Sequence, residues 1–160
     1  MYKAGRMMAC FLLGFLLVSC ASGMKFTQLN PDIKPKNSEV GRIYFYRPSS
    51  FGAALRPNVL LGGEKVGEEI SWGFFYVDRP PGNYEVVTST EVERKVSFVL
   101  EKGQTRFIRF STSFGFFVGH VYGELVDEDI GQSEIKGCNY TGETQTRRKE
   151  NERIPEFARR

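Results

Sequence analysis

The sequence predicts an all-β protein, a small antiparallel β-sandwich of about six to eight strands, and three observations carry that expectation. Apolar and polar residues alternate with a period of two through most of residues 40–142. Glycine and proline punctuate the alternation at short intervals, as turns between strands require. The 160 residues include 14 phenylalanines, seven tyrosines and one tryptophan, a ring content that suits pleated sheets and leaves no case for wholesale disorder. A chain of this length holds one core, so a multidomain enzyme is excluded.

Residues 1–19 read as an export signal. Lys3 and Arg6 precede the run from Met7 to Ser19, which is apolar apart from Gly14 and its last residue. That run is about 13 residues, short of the roughly 20 that cross a bilayer core as a helix. Leu17-Val18-Ser19-Cys20 resembles the lipobox of bacterial lipoproteins. The resemblance implies cleavage between Ser19 and Cys20, a diacylglyceryl group on the Cys20 thiol and an acylated new amino terminus. Two or three fatty acyl chains hold a protein on a membrane firmly where one does not. By the sorting rule of Gram-negative lipoproteins, Ala21 in place of aspartate implies the outer membrane, with the domain facing the periplasm.

Loss of the signal removes Lys3 and Arg6 and takes 22 basic residues to 20 against 19 acidic ones. A near-neutral exported domain offers no clustered basic face for nucleic acid, and that partner class is set aside. Cys10 leaves with the signal and Cys20 becomes thioether-linked, so Cys138 is the only free thiol and no internal disulfide forms.

Residues 20–39, with Pro31, Pro35, Asn30 and Asn37, have the composition of a lipidated cysteine followed by a flexible tether. Strands then follow in order. Arg42 to Arg47 places Ile43 and Phe45 on one face and Tyr44 and Tyr46 on the other, with both faces partly covered, and Pro48 stops it. Asn58 to Leu61 and Glu64 to Gly67 flank Gly62-Gly63, a pair suited to the positive φ of a primed hairpin turn. Gly73 to Asp78 is the next strand; Pro80-Pro81-Gly82 turns the chain, with Gly82 expected at positive φ, into a strand from Asn83 to Ser89. Val96, Phe98 and Leu100 share one side of a strand that a Lys102-Gly103 turn joins to Thr105 to Ser111, as a further hairpin. Ser113 to Tyr122 reads as one strand bulged at Gly115 and Gly119. Glu124 to Ile135, poor in β-branched residues, is a short helix or a loop. Residues 143–160 form a charged tail, solvated or briefly helical.

Gly41 to Pro48, the Val59 to Gly67 hairpin, Pro80-Pro-Gly-Asn-Tyr84 and Glu134 to Cys138 together resemble an uncharacterised family of bacterial lipoproteins with one domain of unknown function. The hairpin and the Pro-Pro-Gly-x-Tyr step also resemble PEGA and carboxypeptidase-regulatory-like sandwiches. The resemblance implies architecture and an envelope location; it brings no catalytic residues with it.

Candidate chemistry is sparse. His120 is the sole imidazole; on a strand Glu124 would share its face but lie about 13 Å away, too far for one metal. Ser133 and Lys136 have the S-x-x-K spacing of penicillin-binding enzymes without their further motifs. Asp127-Glu128-Asp129 lacks the glycine-turned spacing of a calcium loop. Cys138 reads as a buried small apolar residue. No catalytic residue, metal or cofactor is therefore assigned. The aromatic surplus is the remaining clue: Tyr44, Tyr46, Trp72, Phe114, Phe116 and Phe117 are taken as a candidate binding surface, against the alternative that they fill the core. The expected function is a non-enzymatic cell-envelope lipoprotein whose sandwich binds another envelope protein or a glycan. A small-ligand binder or inhibitor is the alternative, and a hydrolase comes third.

Overall fold

The computed structural model describes residues 21–29, 32–89, 95–114 and 119–142. Two sheets face each other. The larger holds β1 (Gly41–Tyr46), β4 (Gly73–Arg79), β7 (Thr105–Phe114), β8 (Gly119–Val126) and β9 (Asn139–Tyr140), in the order β8-β7-β1-β4-β9. The smaller holds β2 (Asn58–Leu61), β3 (Glu64–Glu68), β5 (Gly82–Thr88) and β6 (Lys95–Leu100), in the order β3-β2-β5-β6. Two short helices, α1 (Phe26–Leu29) and α2 (Glu128–Glu134), complete the described elements together with a 3-10 turn, Ile135–Gly137.

The all-β sandwich expected from the pattern is present, and β1 shows why the pattern was strong. All six of its residues are buried. Ile43 and Phe45 point between the sheets, where they meet Val59, Leu61, Phe75, Val86, Phe98, Leu100, Ile108 and Phe110. Tyr44 and Tyr46 point the other way into a second core with Phe26, Phe74, Phe107, Ile135 and Cys138. The larger sheet is thus covered twice, by the smaller sheet on one face and by helical and N-terminal segments on the other. At the β2–β3 hairpin Gly62 has φ 58° and Gly63 φ 84°, the double positive φ that a primed turn imposes.

Several expectations are corrected. The sandwich is not purely antiparallel: β7 runs parallel to β1, and β9 parallel to β4. The β6–β7 connection is not a hairpin, because it crosses from one sheet to the other, as the β4–β5 connection does too. Pro80 and Pro81 withdraw two amide donors, so no ladder continues through them. Across the second crossing, Phe98 and Leu100 of β6 fill the intersheet core from one wall and Ile108 and Phe110 of β7 from the opposite wall. Ser113 to Tyr122 is not one strand: Ser113 pairs with His120 and Phe114 with Gly119, so the chain reverses between β7 and β8. The second arm continues to Val126 before α2 begins, since each residue from Gly119 to Val126 has a β7 partner, whatever its intrinsic preference.

The largest correction concerns the tether. Residues 21–29 and 32–39 are packed onto the domain. The Ala21 amide donates to the Ser71 carbonyl at 2.9 Å, the Phe26 amide to Cys138 at 2.9 Å, and the Tyr140 amide to the Met24 carbonyl at 2.7 Å. The Asn139 amide group donates to the Ala21 carbonyl at 2.6 Å. Further along, the Asp32 carbonyl accepts from the Arg42 guanidinium at 2.6 Å and from the Tyr44 hydroxyl at 3.0 Å. Composition suggested a solvated spacer, but backbone groups do most of this docking, and composition does not report them. The signal, Cys20 and the whole of the 143–160 tail lie outside the described residues.

Two glycines give opposed expectations. Gly82 does not take the positive φ assigned to it, and a Cβ there would meet only the Tyr84 ring edge at 3.8 Å. Gly131 of α2 lies so close to Phe107 that a Cβ would fall 2.3 Å from its ring. Gly82→Ala is therefore expected to stay within about 0.5 kcal/mol of the parent, while Gly131→Ala should cost about 1 to 3 kcal/mol by lifting α2 off the sheet. Urea unfolding of the two variants checks both. Tyr84 itself is half-buried and donates to the Pro80 carbonyl at 2.8 Å, closing the turn.

Candidate functional site

Two of the six rings taken from the sequence as a candidate binding surface are core residues. Tyr44 and Tyr46 are 0% and 1% exposed, because β1 is the central strand and both its faces are covered. Tyr44 stacks on Phe107 with ring centroids 5.1 Å apart. Trp72 is half-buried, packs against the second core and adopts φ 53°. Phe114 closes β7, and Phe116 and Phe117 lie outside the described residues.

What the larger sheet gathers instead is three polar clusters. At the start of β1 the Arg42 guanidinium grips Asp78 of β4 through two bonds, 2.7 and 2.8 Å, and lies 4.2 Å from the centre of the Tyr76 ring. Asp78 raises the Arg42 pKa further above its ordinary value, and burial pushes the Tyr44 hydroxyl up to about 12. This cluster holds the Asp32 carbonyl and so fastens the N-terminal strap.

On the helical face, Arg109 of β7 bonds Glu134 of α2 and Glu124 of β8, each at 2.8 Å. The Tyr46 hydroxyl donates to the other Glu134 oxygen at 2.7 Å. Burial raises the Tyr46 pKa, and the Glu134 bond adds to it; Cys138 is pushed up to about 12 by burial first and by Glu134 second. A fully buried thiol held so high is protonated near neutrality and is not a nucleophile. Arg109 joins α2 to the sheet across the rim of the second core.

The third cluster lies at the far end of β1. Arg47 and Glu69 are 0% and 2% exposed and pair at 2.7 Å. Arg47 also donates to the carbonyls of Phe51 and Leu55, which fixes the 49–57 loop. Burial pushes the Glu69 carboxyl up to about 7, against the smaller opposing pull of Arg47. Glu69 Oε1 and Arg47 Nε have no hydrogen-bond partner among the described residues. The pair borders a recess walled by Phe45, Phe75 and Phe110 that is too tight to admit a water molecule, and so falls far short of a ligand pocket. Sequence reasoning passed over both residues. Their only signal was a charge at each end of an apolar stretch, next to Pro48 and to Ile70-Ser71-Trp72.

The remaining candidates are not brought together. His120 is half-buried opposite Ser113, whereas Glu124, four residues along β8, is engaged by Arg109. Ser133 and Lys136 are both exposed, and Asp127 to Asp129 lie exposed at the start of α2. Among the described residues no three His, Cys, Asp or Glu side chains approach a common metal position.

The family described as "Protein of unknown function (DUF2846)" matches residues 37–121, just over half of the chain. The chain belongs to the DUF2846 family. The DUF2846 match takes in β1 to β7 and the start of β8, and with them the Arg42–Asp78 and Arg47–Glu69 pairs; Glu134 and Cys138 lie beyond it. A protein of Haemophilus influenzae described as "Uncharacterized protein" is 33% identical over 98 residues, 61% of this chain and 58% of that relative. The chain thus spans under two thirds of the length of this curated relative. No solved structure matches.

Proposed function

We propose that this DUF2846 protein is a lipid-anchored lipoprotein of the bacterial cell envelope, held by fatty acyl chains on Cys20, and that its sandwich acts as a non-enzymatic binding module. The observation that carries the reading is Leu17-Val18-Ser19-Cys20, which closes an apolar run that follows a basic start and is too short to span. Ala21 supports the outer membrane as the final site, with the domain in the periplasm. The partner is another envelope protein or a glycan, met through sheet edges at β3, β6 or β8. A ligand enclosed between the sheets finds less support, since the described recess beside Arg47 and Glu69 is small and its walls are core side chains.

Cys20→Ser tests the anchor, because a hydroxyl does not replace the thiol as lipid acceptor. Cells fed labelled fatty acid should label the parent protein and not the variant, and the variant should leave the membrane fraction. Equal labelling of the two would overturn the reading.

A further inference from the structure

We infer that the sandwich sits flush on the bilayer, seated by the end at which β1 finishes and β4 and β9 begin, with Met24 and Phe51 at the boundary between headgroups and acyl chains. The inference rests on the reading of Cys20 as the lipid-bearing residue and names the surface that this anchor brings to the membrane.

A tethered lipoprotein leaves its domain free to tumble. This one has no spacer. Ala21 is 8% exposed and is held by its amide to Ser71 and by its carbonyl to Asn139. Consecutive Cα atoms are about 3.8 Å apart, so residue 20 lies one peptide link from a fixed point on the fold. Acyl chains on Cys20 therefore draw the Ser71 and Asn139 end of the sheet into the headgroup layer.

That end is equipped for the contact. The Ser71 hydroxyl donates to the Ser49 carbonyl at 2.6 Å, and the Phe51 amide donates to the Ser49 hydroxyl at 3.1 Å, so one short chain of bonds links the anchor point to Phe51. Phe51 is 58% exposed and Met24 is 54% exposed, the two most exposed large apolar residues described. Lys25, beside Met24, and Lys136, just before the start of β9, are also exposed at this end and suit anionic headgroups. Val99, 51% exposed, lies at the opposite end, next to Leu100, whose side chain reaches Gly41 at the start of β1. An aromatic ring and a thioether beside lysines fit a lipid surface.

The test uses lipidated full-length protein in vesicles of phosphatidylethanolamine and phosphatidylglycerol, with an environment-sensitive nitrobenzoxadiazole label at Phe51→Cys or at Val99→Cys. Cys138, fully buried, does not compete for the label. Aqueous dithionite should bleach the label at 51 several-fold more slowly than the label at 99, and detergent should abolish the difference. Equal bleaching while the protein co-floats with vesicles would overturn the flush seating and leave the anchor standing. Failure to co-float would remove the anchor and the seating together. Protection that persists in detergent, or that fades when the protein is diluted on the vesicles, would assign position 51 to the protein interior or to a second copy and overturn the inference.

Discussion

Arg47→Ala is expected to cost the domain about 3 to 5 kcal/mol, the range for removing one partner of a buried ion pair. The substitution strands Glu69, which is 2% exposed, and frees the Phe51 and Leu55 carbonyls that fix the 49–57 loop. The pH dependence has a definite sign. Glu69 is raised from 4.5 to about 7 in the folded protein. A raised carboxyl contributes stability that is fully present below its unfolded pKa and is lost as pH rises through the folded one. For this group, stability should therefore fall between about pH 4.5 and about pH 7. Glu69→Gln should flatten that slope, and the loss caused by Arg47→Ala should shrink at the acid end of the window. Denaturant titrations at several pH values decide it; an Arg47→Ala protein as stable as the parent at pH 7 would mean that the pair is solvated.

Phe26→Ala is expected to have a comparable effect, about 3 to 5 kcal/mol, as for other large buried rings. Phe26 is 7% exposed and meets Phe74 edge-on at 5.2 Å and Tyr44 at 6.1 Å. Without it α1 has no other fully buried side chain, and the face formed by Tyr44, Phe74 and Phe107 opens to water. The exposed neighbour gives the contrast: Thr27→Ala should stay within about 0.5 kcal/mol. Calorimetry of the soluble domain from Ala21 onwards measures both. A neutral Phe26→Ala would restore the tether that composition suggested and would remove the basis for seating the domain on the bilayer.

Some of this fold was legible in the sequence, and the reason lies in what each pattern reports. Alternation in β1 declared two covered faces, and Gly62-Gly63 declared its turn, because both are local consequences of side-chain direction and φ. Alternation says which side chains point inward; it does not say which strand lies alongside. The sheet changes after β4 and β6 and the parallel pairing of β1 with β7 were hidden for that reason. The strap was hidden because its apolar residues, Phe26, Leu29 and Ile33, are too widely spaced to read as an element. For Tyr44 and Tyr46 the ring surplus was a true observation with the wrong destination. Two cores on opposite faces of one sheet consume Tyr44 and Tyr46, where a single core would have left them over. Arg47 and Glu69 were missed because a buried charge looks in sequence like any other charge.

The intact mass of the protein extracted from membranes of cells expressing the whole chain tests the central claim most directly. The account predicts a polypeptide beginning at Cys20 and heavier than its sequence by a diacylglyceryl group and one further acyl chain, with the surplus confined to the peptide that carries Cys20. An unmodified polypeptide that retains residues 1–19, or a mature protein cut elsewhere and carrying no lipid, would contradict it.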